Sequence, residues 1–185
     1  MKPILFNTDM VKAILKGRKT VTRRVAKPMR KNSGTSEFYT PIMVGDILYV
    51  RETWRELIRP IGEPKEYEYK ADKDKRVACL FRWKPSIHMP KEAARLFLRV
   101  TDVRLKKLHD MELEDFIKEG IILSMEDMTN HDMALWKARE LFKDLWNSTA
   151  GQRSVSERYS NNYYRNPYVW VIEFEVITAE QAQGK

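Results

Sequence analysis

Between Arg95 and Leu105 apolar residues alternate with charged ones: Leu96, Leu98, Val100 and Val103 stand among Arg95, Arg99, Asp102 and Arg104. A two-residue period marks a strand with one face on a core and one face in water. Such strands belong mostly to antiparallel sheets. No other run in the chain offers so long a strand, so the rest of the fold must assemble around it. Shorter extended runs are expected at Ile4–Phe6, Thr20–Thr22, Ile47–Trp54 and Tyr168–Ile177. Tyr67, Tyr69 and Val77–Phe81 suggest a hairpin around the turn Ala71–Asp74. Helical spacing is confined to three places. Met10, Val11, Ile14 and Leu15 share a face behind a cap at Thr8 or Asp9, with Gly17 placed for a left-handed end. Leu108–Gly120 reads as a second helix. Met133–Trp146 reads as a third, with a stripe of Leu135, Trp136, Leu141, Phe142, Leu145 and Trp146. Lys27–Thr40, Trp83–Pro90 and Asn147–Asn166 read as loops. Strands with few, dispersed helices imply an α+β fold, a small, mostly antiparallel β-barrel or curled sheet with peripheral helices.

The 185 residues carry 34 Lys and Arg against 26 Asp and Glu, a net charge of +8. That balance, with aromatics interleaved among the cations, favours a nucleic acid or nucleotide partner. At 43% hydrophobic the composition is that of a globular chain long enough to bury a core. Cys79 is the single cysteine. It precludes an intrachain disulfide and reads as a small buried hydrophobe. The apolar run after Met1 is too short for a signal peptide, and no run approaches the roughly 20 apolar residues of a membrane span. A cytoplasmic protein with no membrane association is the expectation. His88, His109 and His131 show no metal-ligand spacing, and nucleotide-binding glycine motifs are absent. Neither metal nor cofactor is expected.

Chemistry concentrates in Gly17-Arg18-Lys19-Thr20-Val21-Thr22-Arg23-Arg24, where a helix should end and a strand begin. Such a junction can offer backbone N–H groups, cations and a hydroxyl to one bound anion. In an extended segment Thr20, Thr22 and Arg24 share one face, and Lys19, Val21 and Arg23 the other. A desolvated lysine with a lowered pKa can accept a hydroxyl proton. A basic, solvated strand edge explains the same residues. Glu119 stands at the end of the second helix, where the dipole disfavours a carboxylate, which points to a cationic partner or to acid–base work. A solvent-facing glutamate is the plain alternative. Arg51, Trp54, Trp83, Lys84 and His88 are candidates for stacking bases and contacting phosphates.

These residues resemble the ASCH domain, a branch of the PUA-like superfamily of small β-barrels linked to RNA. The resemblance is carried by Ile14–Arg24, Gly45–Val50, Val100–Val103 leading into Ile117–Gly120, and Tyr168–Phe174, in the family's order. It implies a single domain over residues 1–178 with a polar tail over 179–185. Residues near 25–44, 55–94 and 122–166 are then insertions, as in a longer subgroup common in phage and prophage genomes. Several compact members are amidohydrolases that remove the acetyl group from N4-acetylcytidine. Their site falls on Lys19, Thr22 and Glu119 here. The resemblance implies that Thr22 attacks the acyl carbonyl, Lys19 accepts its proton, and Glu119 supports the lysine; lysine-activated water is the rival. Arg24, the arginine of that motif, would hold a phosphate or oxyanion; Arg18 and Arg23 are further candidates for binding a ligand or nucleic acid. Arg23 replaces an apolar residue of the compact motif. A non-catalytic reader of RNA or of a modified base is the alternative, and a ribonuclease a more distant one.

Overall fold

The computed structural model describes residues 1–30, 36–149 and 163–184. The fold is mixed α+β, built on a mostly antiparallel five-stranded sheet. Its strands are β1 (Lys2–Leu5), β2 (Val21–Val25), β5 (Ile47–Arg51), β8 (Phe97–Lys107) and β9 (Tyr168–Ile177), in the order β1–β5–β8–β9–β2. β5 and β8 pair antiparallel, as do β9 and β2, whereas β1 and β5 are parallel. β1 and β2 stand at the two edges, so among the described residues no pairing closes the sheet into a barrel. The long alternating run became β8, two residues further along than expected.

The chain divides into two compact units, each discontinuous in sequence. The first comprises residues 1–17, 45–99 and 175–185. It holds β1, β5 and the helix α1 (Thr8–Leu15), which buries Val11, Ala13 and Ile14. Asn7 caps α1, its side-chain oxygen accepting from the Met10 N–H at 2.8 Å. Asn7, one residue earlier than the expected Thr8 or Asp9, places its oxygen over the third helical N–H. Gly17 adopts φ +68°, the expected left-handed end. The expected strand Ile47–Trp54 is broken at Glu52, whose N–H leaves the ladder for the Met89 sulfur at 3.2 Å. Beyond the break, β6 (Trp54–Glu56) pairs with β7 (Tyr67–Tyr69), and residues 75–78 form a helical turn, α2, instead of a hairpin arm. Trp54, Met89 and Ala93 form a small core there. The segment 179–183, expected as a tail, is a capped helix, α5 (Ala179–Gln183).

The second unit comprises residues 18–44 and 100–174. Its core joins Val21 of β2 and Val169 and Val171 of β9 to Phe116, Phe142, Trp146 and Tyr163. Phe116 belongs to α3 (Leu113–Lys118), shorter than the expected Leu108–Gly120. Phe142 and Trp146 belong to α4 (His131–Thr149). The buried stripe of α4 is Ala134, Ala138, Phe142 and Trp146, a strict four-residue repeat. Trp136, expected within it, is 57% exposed, and Leu141 is also exposed. The two alanines, weak by hydropathy, set the face. Part of the expected loop Lys27–Thr40 is a hairpin of β3 (Pro28–Arg30) and β4 (Ser36–Phe38). Most of the loop expected at 147–166, including Tyr159, lies outside the described residues.

Candidate functional site

The site begins with the way α3 ends. Gly120 adopts φ +94°, which reverses the chain. The Gly120 N–H donates to Ile117 O at 2.9 Å and the Ile121 N–H to Phe116 O at 3.1 Å. This pair of bonds is a Schellman motif, and it leaves the last carbonyls of the helix pointing outward. Three successive residues meet them. The Thr20 N–H donates to Lys118 O at 2.9 Å, Lys19 Nζ to Glu119 O at 3.1 Å, and Arg18 Nη1 to Gly120 O at 3.3 Å. Cations at a helix C-terminus also complement its dipole. The run Arg18-Lys19-Thr20 is therefore seated by the end of α3, and Glu119 is carried to it.

Lys19 and Glu119, 100 residues apart in sequence, form a buried ion pair between Nζ and Oε2. Lys19 Nζ also donates to Val21 O at 2.8 Å. With Glu119 O, these acceptors take all three ammonium protons. The other carboxylate oxygen, Glu119 Oε1, accepts from Arg23 Nη1 at 3.0 Å. Arg23 Nη2 lies 2.9 Å from Asp115 Oδ1, an ion pair whose geometry does not make a hydrogen bond. The side chains of Lys19, Arg23 and Glu119 are 0%, 1% and 3% exposed. Two cations and two carboxylates thus balance within the second unit. Burial pushes the Lys19 pKa down, against the opposing pull of Glu119, and Arg24 and Arg23 push it the same way. The result is a lysine more easily deprotonated than an ordinary one.

The remaining expected residues of this unit take different places. Thr22 is buried on β2, opposite Ile172 of β9, and supplies none of the bonds to Lys19 or Glu119 named above. Arg24 is half-buried opposite Trp170. Arg23, expected to contact a bound anion, is instead buried between two carboxylates, because a strand residue two positions from Val21 shares its inward face. The sequence reading missed Asp115. It lies four residues before Glu119 on α3, and that spacing puts both carboxylates on one helix face.

The other candidates belong to the first unit. Trp54 is buried, its Nε1 without a hydrogen-bond partner, and Lys84 Nζ stands 4.8 Å above its ring. Trp83 donates Nε1 to Ala78 O at 2.7 Å and packs edge-on against Phe81, over which the Arg55 guanidinium sits at 3.8 Å. Arg51 donates to Ile87 O, and His88 is exposed. The alternation of aromatics and cations in the sequence is used here for contacts within the chain. Cys79, expected to be buried, is exposed at the end of α2. A cleft of about 450 Å³ opens beside α1, lined by Lys12, Lys70, Lys73 and Cys79 among others, and none of the candidate catalytic or nucleic-acid-binding residues lines it. This unit also holds a cluster that the sequence reading missed. Arg95 binds Glu52 at 2.9 and 3.2 Å and Asp72 at 2.7 and 2.9 Å, and stacks on Tyr69 at 3.9 Å. Burial raises the Glu52 pKa. The available signal was a carboxylate set among the apolar residues of an inward-facing run.

Among the described residues, no group of three or more His, Cys, Asp or Glu side chains is placed to hold a metal ion, and no helix is long and apolar enough to cross a membrane.

What the geometry defines is a mixed α+β chain with a buried lysine–carboxylate pair. No family model matches it, and no curated protein matches it. Among solved structures it is similar to protein EF3133 from Enterococcus faecalis V583, described as DUF984. The two are 11% identical, with a TM-score of 0.45, over 100% of this chain and 82% of that one. A likeness at that level assigns neither family nor activity.

Proposed function

We propose that this chain is an amidohydrolase of the ASCH type, within the PUA-like superfamily, that deacylates an N4-acylated cytidine, free or in RNA. The observation that carries the reading is the buried meeting of Lys19 and Glu119 across 100 residues of sequence. An amine held against a carboxylate, with its pKa lowered by burial, gives up its proton more readily than an ordinary lysine and so is suited to taking and returning one. In the reaction, the Thr22 hydroxyl adds to the acyl carbonyl and gives its proton to neutral Lys19. Collapse breaks the C–N bond, and the lysine proton goes to the leaving cytosine amine. Water then cleaves the acyl-threonine ester and regenerates Thr22. Glu119 holds the lysine amine in place through both half-reactions. Arg24 and Arg18 bind the anionic parts of substrate or transition state, and the +8 charge favours an RNA or nucleotide partner.

One observation favours a second reading. All three protons of the Lys19 ammonium are already taken by Val21 O, Glu119 O and Glu119 Oε2. A fully satisfied buried ammonium is also what a purely structural pair would show, and the protein would then be a reader of a modified base.

Incubation with N4-acetylcytidine, following cytidine release, separates the two. The amidohydrolase releases cytidine, and Lys19→Ala and Thr22→Ala abolish the release. A reader binds the nucleoside and leaves it intact.

A further inference from the structure

We propose that Arg23 and Asp115 form a positioning pair that fixes the Glu119 carboxylate and sets the proton affinity of Lys19. Its role in turnover rests on the amidohydrolase reading; its electrostatic effect on Lys19 does not.

Glu119 stands at the end of a short helix, and one of its oxygens is already engaged by Lys19. A carboxylate held through one oxygen can rotate about its last torsion. Arg23 removes that freedom by donating to Oε1 from the opposite side at 3.0 Å. Arg23 is fixed in turn by its place on β2, paired with Val171 of β9, and by Asp115 at 2.9 Å from Nη2. Asp115 is tied to the start of α3, where it accepts from the Glu112 N–H at 3.2 Å. One helix thus supplies both carboxylates, and one strand segment supplies both cations. Without Asp115 the buried Arg23 would add an unbalanced positive charge beside Lys19. Without Arg23, Glu119 would belong to Lys19 alone.

The charged groups acting on Lys19 are Glu119, at the end of α3, and Arg23 and Arg24 of β2, and Asp115 of α3 stands against Arg23. Arg23 favours loss of the Lys19 proton, and Asp115 tempers that by partly neutralising Arg23. The two members of the pair therefore act on Lys19 with opposite sign. A staple whose charges do not reach Lys19 has no such property, since loss of either half would only destabilise.

The test follows the Lys19 side chain by NMR in protein labelled at the lysine ε-carbon, with Lys19→Gln to assign its signal. In Arg23→Leu the Lys19 titration midpoint rises by about one pH unit. In Asp115→Asn it falls by a smaller amount. Should either single variant fail to fold, Arg23→Leu/Asp115→Leu removes both charges together, a change that folded cores tolerate better than a lone buried charge. Its midpoint also rises, since the nearer of the two charges is lost. In turnover, Arg23→Leu lowers kcat with KM little changed and moves the pH profile upward with the lysine. Arg23→Lys restores part of kcat. Unchanged Lys19 midpoints across folded variants, or shifts of the same sign in both single variants, overturn the proposal. If wild type leaves N4-acetylcytidine intact while the midpoints move in opposite directions, the amidohydrolase reading falls and the pair's effect on Lys19 stands.

Discussion

Each unit sets a cation among carboxylates, yet the two clusters differ in what they can do. In the first, Arg95 grips Glu52 and Asp72 with four hydrogen bonds, and its guanidinium keeps its proton at any pH the protein survives. In the second, the cation held by Glu119 is a primary amine, and burial pushes its pKa down. Arg95 is 29% exposed and clamps the break in the sheet strand at Glu52, whereas Lys19 is sealed. A cation among carboxylates does not by itself make a base; on the proposed reading the lysine, unlike the guanidinium, can serve as one.

The largest expected effect comes from deleting that base. Lys19→Ala leaves Glu119 buried with half its partners gone and the carbonyls of Val21 and Glu119 unpaired. We expect a loss of about 3–5 kcal/mol in denaturant unfolding and of turnover by at least about 100-fold. Exchanging the two chemistries sharpens the contrast. Arg95→Lys keeps the charge but cannot fork onto two carboxylates; it should cost about 1–2 kcal/mol in stability and leave deacylation unchanged. Lys19→Arg keeps a cation but removes the base, so turnover should vanish even where the protein remains folded by circular dichroism.

The two clusters also respond to pH in opposite directions. Glu52 has a raised pKa in the folded state, so above pH 4.5 the folded chain holds a proton that the unfolded chain has released. Stability falls as pH rises through that window. Lys19 has a lowered pKa when folded, so between its folded value and 10.5 the unfolded chain holds the extra proton. Stability rises with pH there. Urea midpoints measured across pH should show the acid-side slope abolished by Glu52→Gln and the alkaline slope by Lys19→Met. Turnover should climb with pH as Lys19 loses its proton. The smallest effect is expected at Gly120, whose φ of +94° suits glycine alone. Gly120→Ala should cost about 1 kcal/mol and loosen the seat of Glu119.

How much of this was legible follows from what kind of signal each element leaves. The period of two in β8 and the β-branched run before Arg23 announced strands that the structure contains. The meeting of Lys19 with Glu119 came from the family resemblance joined to one physical hint, a carboxylate at a helix end that wants a cation. Arg23 shares its strand face with Lys19 and Val21, as the period of two requires, but its expected role was a phosphate contact; Asp115 and Glu119 took it instead. Trp136 was placed inward with the other large apolar residues of its helix, whereas the buried face runs through Ala134 and Ala138. Glu52 left a faint signal as a carboxylate in an inward-facing run, but its partners Asp72 and Arg95 lie across loops with no periodicity to connect them.

The most direct test of the central claim is cytidine release from N4-acetylcytidine by wild type and by Lys19→Arg, measured side by side across pH. The account predicts release by wild type that rises as Lys19 deprotonates, and none by Lys19→Arg. Equal release by both proteins, or none by wild type that binds the nucleoside, would contradict it.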